Sequence, residues 1–215
     1  MTEDEARAWL QAQFDVSPDS WAKLERYVAT LLSAMDEQNL IAESTRPHIW
    51  VRHIVDSAQL LIHASDDDGR DWIDLGSGAG LPGIVIACLV DRPMMMVESR
   101  RKRIDFLNHV IADLGLGHAR IFGGRVETVP ATKAAVISAR AYAPLPKLLT
   151  SALHLSDKRT VWVLPKGRNA QNELEAARPA WQGVFHVEPS VTDADSALII
   201  ARGLTPAAGK KKGRG

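Results

Sequence analysis

The stretch Trp72-Ile73-Asp74-Leu75-Gly76-Ser77-Gly78-Ala79-Gly80-Leu81-Pro82-Gly83 decides the fold. A short apolar run stops at an acid, a glycine-dense turn follows, and an apolar segment opens on a proline. That order reads as strand, tight loop and helix. Glycine at 76, 78, 80 and 83 removes four β-carbons, so the backbone can take positive φ and a ligand can lie against the main chain. Pro82 suits a first helical position, where its missing N–H costs nothing. The helix start then offers N–H groups to a polar or anionic ligand. The loop is expected to hold a nucleotide-like cofactor, framed by most of the remaining chain.

Outward from that loop, apolar runs alternate with helical patterns. Strand candidates are 71–75, 94–98, 119–122, 135–139, 160–165, 183–188 and 197–202, and helical stretches cover 83–91, 101–115, 144–155 and 170–178. Such alternation predicts an α/β fold, a largely parallel sheet covered on both faces. The last two strands are separated only by the polar stretch Pro189 to Ser196. A hairpin suits that gap better than a crossover helix, so one antiparallel strand is expected near the end.

Before the loop, residues 1–65 read as helical. Trp21, Leu24, Val28, Leu31, Leu32 and Met35 recur at three- and four-residue intervals, with Ser17-Pro18-Asp19 as the start signal. A second stretch carries Trp50, Ile54, Ala58 and Leu61, and Asp66-Asp67-Asp68-Gly69 reads as a solvated turn. The expected organisation is an N-terminal helical region (1–65) packed on a catalytic domain (66–204), then a basic, disordered tail (205–215).

Composition narrows the function. The chain has 215 residues, is 46% hydrophobic and carries a formal net charge of zero, so it holds a sizeable core and is not basic overall. Any contact with nucleic acid must come from local charge. Its one cysteine, Cys88, lies in an apolar run, which argues against a disulfide framework or a cysteine zinc site. No metal is expected. The acidic start Met1-Thr2-Glu3-Asp4-Glu5 has the wrong sign for a secretory signal, and no apolar run approaches the roughly 20 residues that span a bilayer. A cytoplasmic monomer without membrane contact is expected.

Gly78-Ala79-Gly80-Leu81-Pro82-Gly83 matches the G-x-G-x-x-G of dinucleotide binders, which leaves an NAD-dependent oxidoreductase as one reading. Asp74, however, stands at the strand end, where a carboxylate repels a pyrophosphate but can pair with an ammonium. The next strand, Met94-Met95-Met96-Val97-Glu98, ends in an acid about twenty residues beyond the glycines, suited to ribose hydroxyls. S-adenosylmethionine carries an ammonium, a sulfonium and no phosphate, so the charge pattern favours it over NAD. In Gly123-Gly124-Arg125-Val126-Glu127, Val126 backbone groups are placed to read adenine, with Glu127 supporting the loop.

At the fourth strand's end no Asn/Asp-Pro-Pro-aromatic motif for amine methylation appears; the strand runs into Arg140. Lys166, Arg125 and the run Arg100-Arg101-Lys102-Arg103 add positive charge on the same rim. Bases at a helix start oppose its dipole, which points to phosphate contact. Guanine N7 has a lone pair and no proton, so its methylation needs positioning rather than a general base. Arg or Lys can bond its O6. Arg52 and Asp56, four apart, can pair on a helix beside His53.

Together these residues resemble the bacterial 16S ribosomal RNA guanine-N7 methyltransferases, the glucose-inhibited-division protein B (RsmG) family. The similarity covers about residues 35–203. It rests on Asn39-Leu40-Ile41-Ala42, Arg52-His53-Ile54-Val55-Asp56-Ser57, Asp74 to Gly83, Glu98 to Arg103 with Phe106-Leu107, Gly124 to Glu127, Ser138-Ala139-Arg140 and Lys166-Gly167. It implies a Rossmann-like class I S-adenosylmethionine-dependent methyltransferase sheet of about seven strands with N-terminal helices. It also implies methylation of a guanine in the 530 loop of 16S RNA, in free RNA or a 30S assembly particle. The expected cofactor contacts are Asp74, Gly76, Gly78, Gly80, Leu81, Glu98, Val126, Glu127 and Arg140. Arg140 and Lys166 are expected at the reacting centre, and Arg52, His53, Arg100, Arg101, Lys102, Arg103 and Arg125 against RNA. A non-catalytic ribosome-assembly factor with a degenerate loop stays open beside this reading.

Overall fold

The computed structural model describes residues 1–64 and 68–207. The expected boundary at 65/66, the Asp66-Asp67 part of the acidic turn and the basic run 210–214 lie outside the described residues.

Among the described residues seven strands form one sheet: β1 (Trp72–Leu75), β2 (Met94–Glu98), β3 (Ala119–Gly123), β4 (Val136–Ser138), β5 (Val161–Lys166), β6 (Trp181–Pro189) and β7 (Ala197–Pro206). Their order is β3-β2-β1-β4-β5-β7-β6. Strands β1 to β5 pair in parallel, and β7 runs antiparallel between β5 and β6. The order reverses between β1 and β4, which puts the ends of these two strands at the switch point where open α/β sheets bind ligands.

The sheet has two buried faces. Trp72, Met94, Met96, Val136 and Val163 pack on one side, and Ile73, Leu75, Met95, Val97, Ile137 and Leu164 on the other. This alternation is the period-two pattern of a strand. Helices α6 (Leu145–Ala152) and α7 (Ala170–Ala177) cover the second face. The first is covered by α4 (Gly83–Leu89), α5 (Arg101–Asp113) and the N-terminal helices. The N-terminal region thus shares one core with the sheet: Ala6, Leu10, Leu24 and Leu31 join Ile84 and Leu107 in a single cluster.

The N-terminal elements are held by polar contacts that reach far along the chain. In α1 (Glu3–Phe14), Thr2 and Glu5 form a reciprocal capping box. Glu3 accepts hydrogen bonds from the N–H groups of Trp50 and Val51, both at 3.0 Å, and so caps the helical stretch that starts at Trp50. Helix α2 (Pro18–Ala34) starts at the Ser17 cap, as the sequence predicts, and Arg26 ties it to Asp113 of α5. The following stretch runs as a π-helix over Trp50–Val55, then α3 (Asp56–Ala58) and a 3₁₀ turn to His63. Wide π turns are rare and cluster at functional sites; this one carries Arg52 and His53.

Several boundaries differ from expectation. Thr205 and Pro206 pair with Gln182 and Trp181, so the tail expected from 205 starts inside the last strand. Gly203 at φ 61 and a bulge between Gln182 and Val184 bend this hairpin, and such residues read as chain breakers in sequence. Pro82 precedes the first helical residue of α4, Gly83, rather than opening it.

Candidate active site

The opening glycine loop leaves β1 and turns tightly through Gly76 at φ 67, Gly78 at φ 59 and Gly80 at φ 95. Gly80 is needed for space as well as conformation, because a β-carbon there would stand 2.5 Å from Ile84 and 3.0 Å from Leu107. Two carboxylates hold the loop from inside. Asp74 is fully buried; Oδ1 accepts from the Ser138 hydroxyl at 2.8 Å and Oδ2 from Gly83 N–H at 3.3 Å. Burial raises its pKa to about 6, against the hydrogen bonds and the Arg140 cation that favour its charged form. Glu98 accepts from Gly78 N–H at 3.0 Å, Ser99 N–H at 2.7 Å and Arg100 N–H at 2.8 Å. From outside, Tyr27 of α2 donates its buried hydroxyl to the Ala79 carbonyl at 2.8 Å.

These bonds correct part of the reading of the loop. Asp74 lines neither of the cavities beside the loop; it braces the start of α4. Leu81, 4% exposed, and Gly80 turn into the core. Of the loop, Gly76 lines a cavity of about 310 Å3, together with Glu98, Val126, Glu127, Arg125 and Tyr142. The N–H groups of Gly78 and Gly83, which would cradle a pyrophosphate, are taken by carboxylates, which disfavours the dinucleotide reading.

A second cavity, about 710 Å3, opens on the other side of the segment Ala141–Ala143, and that segment lines both. Arg140 and Lys166 line this cavity and not the narrower one. Its guanidinium donates to Asp56 Oδ2 and the Arg52 carbonyl, both at 3.2 Å, and to His53 Nδ1 at 3.1 Å. Arginine cannot accept, so Nδ1 keeps its lone pair and Nε2–H donates to Thr45 Oγ1 at 2.7 Å. The Thr45 hydroxyl in turn donates to the Ala42 carbonyl at 2.7 Å. Burial, then the Arg140 and Arg52 cations, pull the His53 pKa down to about 3. His53 is therefore a buried, neutral support for Arg140 rather than an RNA-facing cation.

The other expected cations divide. Lys166 is spent on Glu173 at 2.8 Å and on the Ala143 carbonyl at 3.1 Å, so it holds the shared segment in place. Arg52 reaches Asp193 at 2.7 Å instead of Asp56, because Asp56 faces Arg140. Arg103 turns inward, 3.9 Å from Glu98. Arg100, Arg101 and Arg125 are exposed, the last two beside Asp105 and Glu127. Lys102 lines a groove between α2 and α5 with Phe106 and His109, away from both cavities.

The hairpin turn before β7 lines the wider cavity. Thr192 donates to Asp56, and Gln59 accepts from Val191 N–H at 3.0 Å. Gln59, Thr192, Glu173, Tyr27 and Tyr142 carried no signal in the sequence, because their partners lie far away along the chain. Asp56 did carry one, as a helical pair with Arg52, and that pair is not formed. Among the described residues no group of three or more His, Cys, Asp or Glu is placed to hold a metal.

The profile of the family described as "GidB: rRNA small subunit methyltransferase G" matches residues 20–197. A ribosomal RNA small subunit methyltransferase G of Sphingopyxis alaskensis is 49% identical over 209 residues, 97% of this chain and 89% of the relative. One of the same name from Zymomonas mobilis is 44% identical over 213 residues, covering 96% of each. Among solved structures, a SAM-dependent methyltransferase from Aquifex aeolicus superposes with a TM-score of 0.56 at 12% identity, over 73% of this chain and 92% of that one. The glycopeptide N-methyltransferase MtfA with S-adenosylmethionine gives 0.56 at 8% identity, over 70% and 93%. These two likenesses are of fold alone.

Proposed function

This chain belongs to the GidB family, rRNA small subunit methyltransferase G, and from that premise we propose that it moves a methyl group from S-adenosylmethionine to N7 of a guanine in the 530 loop of 16S ribosomal RNA. The observation that carries the acceptor is the state of the wider cavity. Asp56, Glu173 and Asp193 each stand against a cation, Arg140, Lys166 and Arg52 respectively, and His53 is neutral with Nδ1 occupied. Among these groups no base is poised to take a proton, and N7 has none to lose.

The narrower cavity fits the cofactor. Gly76 lies at its wall without a β-carbon, Glu98 presents a carboxylate fixed by three N–H groups, and Val126 closes the far side. Glu98 is the residue for the ribose hydroxyls, and Val126 and Glu127 are those for the adenine edge. When bound there, S-adenosylmethionine would supply an electrophilic methyl group on its sulfonium. The protein's share is alignment and exclusion of water. Arg140, held on three sides, presents its remaining N–H donors for guanine O6 or phosphate. Arg52, Arg100, Arg101 and Arg125 are the cations for the RNA backbone. A cytoplasmic enzyme suits this role; among the described residues no helix is long and apolar enough to cross a membrane.

The test is transfer of labelled methyl from S-adenosylmethionine to 30S particles or 16S RNA from a strain lacking the methyltransferase, mapped by borohydride–aniline cleavage. The expected result is one cleavage within the 530 loop. Label at a base amine or ribose, or no transfer with S-adenosylhomocysteine still binding, would sink the N7 reading; the latter outcome favours an assembly role.

A further inference from the structure

The two cavities meet at one aromatic ring. Tyr142 lines both. Among the described residues, the one other aromatic ring on either wall is that of His53, which is 7% exposed and held at both nitrogens. Tyr142 is only half-buried. Its Cδ2 lies 2.7 Å from where a β-carbon of Gly76 would stand, so the ring rests on the first glycine of the cofactor loop. Its hydroxyl has one long contact, 3.4 Å to Ser151.

The backbone that carries the ring is braced on both sides. Arg140 is tied to Asp56 and His53. Ala141 takes φ 51, a left-handed conformation uncommon outside glycine, which turns the chain toward the cofactor loop. Lys166 then pins the Ala143 carbonyl, and Glu173 pins Leu145 N–H at 2.8 Å. A left-handed non-glycine residue between two fixed points shows that the position of residue 142 is over-determined by its surroundings.

Transfer to a ring nitrogen sets a strict geometric demand, because the edge of the base must point at the methyl while its faces are held. A base taken out of its stack is commonly held by an aromatic side chain. We propose that Tyr142 is the platform on which the acceptor purine stacks, which makes it a substrate-positioning contact between the cofactor loop and the wider cavity. This rests on the reading of the chain as an RNA guanine-N7 methyltransferase. The ring's face, rather than its hydroxyl, carries the role.

Steady-state methylation of 30S particles by Tyr142→Phe, Tyr142→Leu and the unaltered protein tests it, with S-adenosylhomocysteine affinity measured calorimetrically on each. Tyr142→Phe is expected within threefold of the parent. Tyr142→Leu, apolar but smaller and without a π face, is expected to lose roughly ten- to a hundredfold in kcat/KM for RNA, the scale of one stacked base, while its S-adenosylhomocysteine affinity stays within threefold and reports an intact fold. Tyr142→Leu retaining kcat/KM within threefold overturns the proposal. So does a parallel loss of S-adenosylhomocysteine affinity and methyl transfer, which would make Tyr142 a cofactor contact or a fold element. Absence of N7 methylation by the unaltered protein would instead remove the underlying functional reading, and the stacking role with it.

Discussion

His53 Nδ1 accepts a hydrogen bond from the Arg140 guanidinium at 3.1 Å, across 87 positions of sequence. The bond works only while the imidazole is neutral and carries its proton on Nε2. An asparagine oxygen can stand in for Nδ1, whereas a glutamine amide reaches toward the place of Nε2. His53→Asn is therefore expected to keep most of the methyl transfer, and His53→Gln to lose about tenfold, the worth of a charge-assisted hydrogen bond. Equal activities for the two variants would remove the support role.

Arg140→Ala tests the residue that His53 supports. Loss of a bidentate-capable arginine at a base predicts about a hundredfold fall in kcat/KM. Asp56 keeps Gln59 and Thr192 as partners, so the melting temperature should fall by less than about 4 °C. A collapse of both together would make Arg140 a fold element.

Tyr27→Phe removes the hydroxyl that holds the Ala79 carbonyl from a fully buried position. A buried carbonyl left without its donor costs about 1–3 kcal/mol. Isothermal titration should show weaker S-adenosylhomocysteine binding, about five- to tenfold, because the glycine loop loses its outer brace. Unchanged affinity would show that the two carboxylates suffice.

Asp74 links the loop to pH. Its pKa is raised from 3.8 to about 6 by burial. Between about pH 4 and 6 the unfolded chain gives up this proton before the folded one does, so stability is present at the acid end and lost as pH rises. Relative to Asp74→Asn, the parent should lose on the order of 2–3 kcal/mol across that window. Parallel stability curves for the two proteins would show that the carboxyl does not titrate there.

Cys88 lies in α4 at 4% exposure, and burial pushes its thiol up to about 12. It should resist iodoacetamide at pH 8 in the native state and react fully in denaturant, because the thiolate is the nucleophile. Rapid native labelling, followed by mass spectrometry, would contradict the packing of α4.

Much of the fold was legible because its signals are local. Alternating apolar runs placed all seven strands, and the short polar gap between Pro189 and Ser196 identified the antiparallel pair. Ser17 and Pro18 announced α2 because a cap acts within one turn. The strand limits that moved, from 183 back to Trp181 and from 202 on to Pro206, moved where glycine and proline interrupt a pattern that pairing between β6 and β7 overrides.

The site was legible in a different measure. The sequence alone established a glycine loop between two acids, Asp74 and Glu98, and the charges named near it. Residue identity and spacing along a strand–loop–helix unit are enough for that, because the unit is one contiguous stretch. Only the tertiary structure decided what each charge does. It turned Asp74 inward to Ser138, made His53 a neutral support, gave Lys166 to Glu173 and Arg52 to Asp193, and set Tyr142 on Gly76 between two cavities. Partners such as Gln59 and Ser190 are 131 positions apart. A charge or hydrogen bond acts over a few ångströms of space, and which groups come that close is set by how the sheet and its covering helices pack.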